Sequence, residues 1–99
     1  MKESGQKQER IALFPGSFDP FTIGHQSLVK RGLALADRII IAIGINENKQ
    51  SCFPLEERLT AIRSLFQDDP RIEVITYHTL TTDLAEKTGA QFILRGIAH

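Results

Sequence analysis

The chain has 99 residues, 41% of them hydrophobic, which suffices for the core of one domain but not of two. Twelve basic and twelve acidic residues cancel, so overall charge would not hold the protein to nucleic acid or to an anionic membrane. The one cysteine cannot form an internal disulfide, and no stretch approaches the roughly 18 apolar residues of a membrane span. We expect a flexible leader over 1–9 and one cytoplasmic domain over 10–99, with neither nucleic acid nor membrane as a partner.

Apolar residues in the first two thirds of the chain predict two strands and two helices. Ile11–Phe14 is a short apolar run and Arg38–Ile45 a longer, β-branched one, as is typical of strands covered on both faces. Between them, apolar residues at helical spacing predict a helix over Gly24–Leu35. Pro54–Phe66 begins with a proline at a permitted first-turn position and predicts a second helix.

The remaining elements complete a regular alternation. Ile72–Thr76 predicts a third strand, Thr82–Thr88 a short helix ended by Gly89, and Phe92–Arg95 a fourth strand. The order βαβαβαβ with right-handed crossovers predicts an α/β fold with a Rossmann-like, doubly wound parallel sheet. Such sheets bind ligands beyond the carboxyl ends of their strands, so we expect the site in the loop after the first strand.

That loop has the sequence FPGSFDPFTIGH, from Phe14 to His25. Gly16 allows close backbone approach, Ser17 offers a hydroxyl and an amide, and the following helix presents free N–H groups at its positive end. The loop contains neither GxxxxGK[ST] nor GxGxxG. His25 could donate a ring N–H to a phosphoryl oxygen. Taken alone, a histidine at a helix start is more often a polar cap or a solvated residue, and Ser17 and Thr22 could be ordinary turn residues.

FPGSFDPFTIGH resembles the signature of the nucleotidyltransferase superfamily with the (H/T)xGH motif, and specifically that of the bacterial phosphopantetheine adenylyltransferases. The similarity continues at NENKQSCFPLEER, residues 46–58, and at ILRG, residues 93–96. The resemblance implies transfer of AMP from ATP to 4′-phosphopantetheine, with Mg²⁺ as cofactor, to give dephospho-CoA and pyrophosphate in coenzyme A biosynthesis. It also implies a homo-oligomer, since the family is usually hexameric.

The resemblance assigns roles to individual residues. His25 matches the histidine that stabilises the transition state at the α-phosphate, and Ser17 matches a hydroxyl residue that touches both substrates. Lys49 and Arg95 match the cations that hold the pantetheine phosphate, and Thr81 lies where the family contacts the pantetheine arm. No residue is assigned as a metal ligand. The further expected contacts with ATP, besides Ser17 and His25, are Phe18, Gly96, Ile97 and Ala98.

Two departures from the family leave other interpretations open. The family continues past the position of His99, through a serine-rich segment that closes over the ATP phosphates, and carries a second arginine where this chain has Ala98. We therefore expect a C-terminally truncated form of the fold, whose activity the shortening could impair. One alternative is a sister nucleotidyltransferase with another phosphorylated acceptor. The other is a non-catalytic fragment that binds nucleotide or oligomerises.

Overall fold

The computed structural model describes residues 9–45, 53–78 and 81–95, and only the backbone of residues 81–83. The predicted order of strands and helices is confirmed. None of the described helices is long and apolar enough to cross a lipid bilayer. The elements are β1 (Ile11–Gly16), α1 (Ile23–Leu35), β2 (Arg38–Gly44), α2 (Leu55–Leu65), β3 (Ile72–Tyr77), α3 (Thr81–Thr88) and β4 (Phe92–Ile93).

The four strands form one parallel sheet in the order β3-β2-β1-β4. The chain winds outward from β1 through β2 to β3, and then returns to place β4 on the other side of β1. The direction of winding therefore reverses at β1, which is where an open α/β sheet forms its ligand crevice. The predicted Rossmann-like, doubly wound fold is confirmed, and the loop after β1 lies at the point of reversal.

Strand β2 lies at the centre of the core and is covered on both faces. Its residues Ile39–Ile43 are each no more than 4% exposed. The odd-numbered residues pack with α1 and α2, through Val29 and Ile62, whereas the even-numbered residues pack with Leu84 of α3. The continuous apolar run in the sequence thus reflects burial on two sides, as expected for a parallel sheet.

The predicted end of β1 was wrong by two residues, because the strand continues through Pro15 to Gly16 instead of ending at Phe14. Proline cannot donate a ladder hydrogen bond. The carbonyl groups of Ile11 and Leu13 accept bonds from the β4 segment, so Pro15, two residues further on, faces the same side. Because β4 pairs only with Ala12 and Leu13 of β1, Pro15 faces that side beyond the last ladder pair, where the strand has an unpaired edge that tolerates proline.

Other element ends differ from the predictions by one or two residues. Strand β4 is shorter than the predicted Phe92–Arg95, and α2 lies inside the predicted Pro54–Phe66 because both of those end residues are caps. Differences of this size are expected at element ends, where regular hydrogen bonding stops. The remaining ends shift by one residue each, at Ile23, Gly44, Tyr77 and Thr81.

Shortening Ile41 to alanine is expected to lower the free energy of unfolding by about 2–5 kcal/mol, because it leaves a cavity between β2 and the helices packed on it. The matched control is Ile23→Ala, since Ile23 is 84% exposed and surface substitutions usually cost less than about 0.5 kcal/mol. Urea unfolding measures both variants. Equal destabilisation by the two substitutions would contradict the central position of β2.

Candidate active site

A cavity of about 690 Å³ opens where the sheet reverses direction. It is lined by the carboxyl end of β1, much of the loop that follows, the first two turns of α1, and Arg95. Pairing of β4 with β1 brings Arg95 there, because the preceding N–H of Leu94 donates to the carbonyl oxygen of Leu13 at 2.8 Å. The structure thus brings Ser17, Phe18, His25 and Arg95 to one cavity.

Five other residues were predicted to contact the substrates. Thr81 is the first residue of α3, but its side chain lies outside the described part of the chain. The other four lie outside the described residues altogether, so all five roles remain predictions. These four are Lys49, Gly96, Ile97 and Ala98.

The loop after β1 turns sharply at Phe18. This residue has a φ of +49°, in the left-handed region, where a non-glycine residue is strained by roughly 1–3 kcal/mol. Its ring packs back over β1, so close that a Cβ atom on Gly16 would lie 3.0 Å from the ring Cζ. The ring is 3% exposed and stacks edge to face on Phe14 at a centroid distance of 5.0 Å. Phe18 can therefore meet a ligand through its backbone, while its ring belongs to the core.

Three phenylalanine rings surround His25. The ring centroid of His25 lies 5.1 Å from that of Phe18, 5.2 Å from Phe21 and 6.0 Å from Phe14. These apolar groups replace water around the imidazole, and desolvation penalises its charged form. Burial therefore lowers the pKa of His25 from its ordinary value of 6.5, which favours the neutral side chain at pH 7.

Thr22 fixes which nitrogen of His25 carries the proton. The backbone N–H of Thr22 donates to Nδ1 at 2.8 Å, so Nδ1 is unprotonated and the proton is on Nε2. In return, the Thr22 hydroxyl accepts the backbone N–H of His25 at 3.4 Å. This reciprocal pair is a capping box, with histidine in the place that Glu or Gln usually takes. The cap thus leaves Nε2–H as the donor of a side chain that lines the cavity.

The cavity favours anions on several sides. The first turn of α1 carries no acidic residue, so its N–H groups and positive dipole end are not neutralised within the helix. Arg31 of α1 and Arg95 after β4 add guanidinium groups to the lining. Together with the neutral Nε2–H donor of His25, these groups can bind phosphates and stabilise charge that develops on a phosphoryl oxygen.

The sequence interpretation did not single out Arg31. Gly24, Leu28 and Arg31 all line the cavity and are spaced as i, i+4 and i+7, which places them on one face of a helix. The helical spacing of Arg31 from Gly24 in the sequence TIGH, residues 22–25, is the pattern that could have identified Arg31. Thr22, for which an ordinary turn role remained open, is the N-cap of α1, and its backbone N–H and hydroxyl both bond His25.

Histidine side-chain NMR tests this arrangement. In its neutral form His25 should carry its proton on Nε2, because Thr22 donates to Nδ1, and it should titrate below 6.5 because its surroundings are apolar. Proton–nitrogen correlation spectra across a pH series measure both properties, and the variant His25→Gln identifies the resonance. A neutral ring with its proton on Nδ1, or a pKa above 6.5, would contradict the assignment.

Several known proteins are similar to this chain in sequence or fold. A family model described as cytidylyltransferase-like matches residues 13–98. Over 88 residues, the chain is 59% identical to a phosphopantetheine adenylyltransferase of Bacteroides thetaiotaomicron and 58% identical to one of Phocaeicola vulgatus. Each match covers 89% of this chain and 58% of the relative. The crystal structure of NadR protein in complex with NAD and AMP-PNP is similar with a TM-score of 0.64 and 26% identity, over 72% of this chain and 21% of that one.

The chain spans 58% of the length of these two curated relatives. Both relatives carry the name of the family that the FPGSFDPFTIGH motif resembles. The family model begins within β1 and extends past Arg95, so it includes the loop after β1, α1 and Arg95. The chain therefore belongs to the cytidylyltransferase-like family.

Proposed function

We propose that the chain transfers AMP from ATP to 4′-phosphopantetheine and releases pyrophosphate and dephospho-CoA, a reaction of coenzyme A biosynthesis. One observation carries the proposal: His25, whose donor is Nε2–H, lines the same cavity as Ser17, Arg31 and Arg95. The names of the relatives favour phosphopantetheine over another phosphorylated acceptor. Binding of ATP is supported by the AMP-PNP in the related NadR structure.

In the proposed reaction, a phosphate oxygen of the acceptor attacks the α-phosphorus of ATP, a new P–O bond forms, and the bond to pyrophosphate breaks. Negative charge grows on the non-bridging oxygens of the α-phosphate. The Nε2–H of His25 and the N–H groups at the start of α1 can bond these oxygens more strongly in the transition state than in the ground state. The attacking phosphate oxygen is already anionic, so His25 need not move a proton, which suits a neutral imidazole held by Thr22.

Placement of the two substrates follows from the charges around the cavity. We assign the α-phosphate to the start of α1, beside Ser17 and the backbone of Phe18, and the acceptor phosphate to Arg95. Two phosphate groups repel each other, so the positive end of α1 and the guanidinium of Arg95 would hold them in position for in-line attack. Further contacts remain part of the proposal on the strength of the motif resemblance alone: Lys49, Thr81, Gly96, Ile97 and Ala98.

Mg²⁺ is proposed as a companion of the nucleotide and not as a resident metal of the protein. Within the described ranges, no three His, Cys, Asp or Glu side chains cluster so that they could hold an ion. In ATP-dependent enzymes Mg²⁺ binds largely through the substrate phosphates. When bound, it would neutralise part of their charge.

We also propose that the chain acts in the cytoplasm, where ATP is available, and that it forms a homo-oligomer, of which the hexamer usual in the resembled family is the expected form. The exposed side chains of Phe53 and Leu65 line one surface depression. Apolar residues also contribute much of the rest of its lining, namely Pro20, Phe21 and Ala61, and an exposed apolar patch supports an association of subunits.

A coupled assay of pyrophosphate release with ATP, Mg²⁺ and 4′-phosphopantetheine tests the proposal. Replacing His25 with alanine should slow turnover about 100–1,000-fold, because the donor to the α-phosphate is lost. The matched control is His78→Ala: His78 is exposed just after β3, and its loss should change turnover by less than about twofold.

Circular dichroism of both histidine variants establishes that they are folded. Pyrophosphate release that does not require phosphopantetheine would contradict the proposed acceptor. Equal turnover by wild type and the His25→Ala variant would contradict the role of His25.

A further inference from the structure

Among the described residues, Arg58 is the only polar or charged residue that is buried, at 9% exposure. It lies in the first turns of α2, where the helix dipole disfavours a cation. Burial of a guanidinium is also costly unless its N–H groups are hydrogen-bonded. Because the helix dipole and burial both disfavour an arginine here, its hydrogen-bond partners best explain its position.

Arg58 holds two carbonyl groups from two different loops. Its Nη1 donates to the carbonyl oxygen of Ser17 at 2.8 Å, and its Nε donates to the carbonyl oxygen of Phe53 at 3.1 Å. The N–H of Phe53 in turn donates to Oδ1 of Asp19 at 2.8 Å. These bonds join the loop after β1 to Phe53 and to the first turn of α2, although Ser17 and Arg58 are 41 residues apart.

The bond to Ser17 also orients the next amide. In a trans peptide the C=O and N–H groups point in opposite directions, so a carbonyl of Ser17 that faces Arg58 directs the N–H of Phe18 away from Arg58. Ser17 and Phe18 line the candidate active site, and Arg58 does not. The left-handed backbone of Phe18, with φ of +49°, is strained, so without a partner on the Ser17 carbonyl this peptide would tend to relax.

We propose that Arg58 is a positioning residue for the nucleotide. It fixes the Ser17–Phe18 peptide so that the α-phosphate of ATP meets a preset backbone N–H and the Ser17 hydroxyl. Arg58 touches neither substrate and acts through this peptide. The kinetic test of this inference rests on the proposed function. Nucleotide binding alone can also test whether Arg58 fixes the Ser17–Phe18 peptide.

The variant Arg58→Lys keeps the charge, but an ammonium on one flexible stem cannot reproduce the two-carbonyl fork. The KM for ATP should rise about tenfold, because binding energy must then be used to order the peptide. Arg58→Met, which removes the charge as well, should raise the KM at least as much. A purely structural role would reduce the fraction of folded enzyme, and so lower kcat without changing the KM.

The matched control is Arg63→Lys on the same helix. Arg63 also donates to a backbone carbonyl, that of Val74 at 3.4 Å, but Val74, unlike Ser17, does not line the cavity. This variant should leave the KM for ATP unchanged. An unchanged KM in the Arg58→Lys variant, or an equal rise in the Arg63→Lys variant, overturns the proposal.

Isothermal titration calorimetry with AMP-PNP distinguishes a failure of this inference from a failure of the proposed function. If the wild-type chain releases no pyrophosphate, the proposed function fails, and the Kd of AMP-PNP becomes the test. About tenfold weaker binding by Arg58→Lys supports the positioning role, since the same peptide must be ordered on binding. Unchanged binding by Arg58→Lys, or no binding by wild type, overturns it.

Discussion

The pairing of β4 with β1, on the side away from β2, is the constraint on which the site depends. It places the carboxyl end of β1 at the point where the sheet reverses direction. The loop after β1 can therefore open into a cavity instead of being covered by a further crossover on the same side. The same pairing carries Arg95 to that cavity, where it lies with α1, an element from the opposite end of the chain.

Within the cavity, packing and hydrogen bonding lead to the same state of His25. The phenylalanine rings keep the imidazole neutral, and Thr22 leaves its proton on Nε2. A neutral donor that is fixed in advance suits a reaction whose main demand is stabilisation of charge on a phosphoryl oxygen. Protonation of Nδ1 would place two donors face to face and break the bond from Thr22, so the cap and the chemistry require the same form of the histidine.

Local patterns in the sequence predicted the fold because burial of β2 on both faces leaves a continuous apolar run at 39–43, and helical spacing is visible within one segment. The motif also indicated the loop and His25. The sequence did not predict the left-handed turn at Phe18 or the bonds of Arg58, because these depend on contacts between residues up to 41 positions apart. The extension of β1 through Pro15 likewise depended on where β4 stops pairing.

Amide chemical-shift mapping during a titration with AMP-PNP tests the central claim, that the nucleotide binds where the sheet reverses. The largest changes should occur at residues that line this cavity, in the loop after β1, in α1 and after β4, namely Ser17, Phe18, His25 and Arg95. A second cavity, of about 570 Å³, lies between α1 and the turn before β3, near Lys30 and Arg71, and offers a comparison site in the same molecule. Small or absent changes there would agree with the account, whereas the largest changes at that second cavity would contradict it.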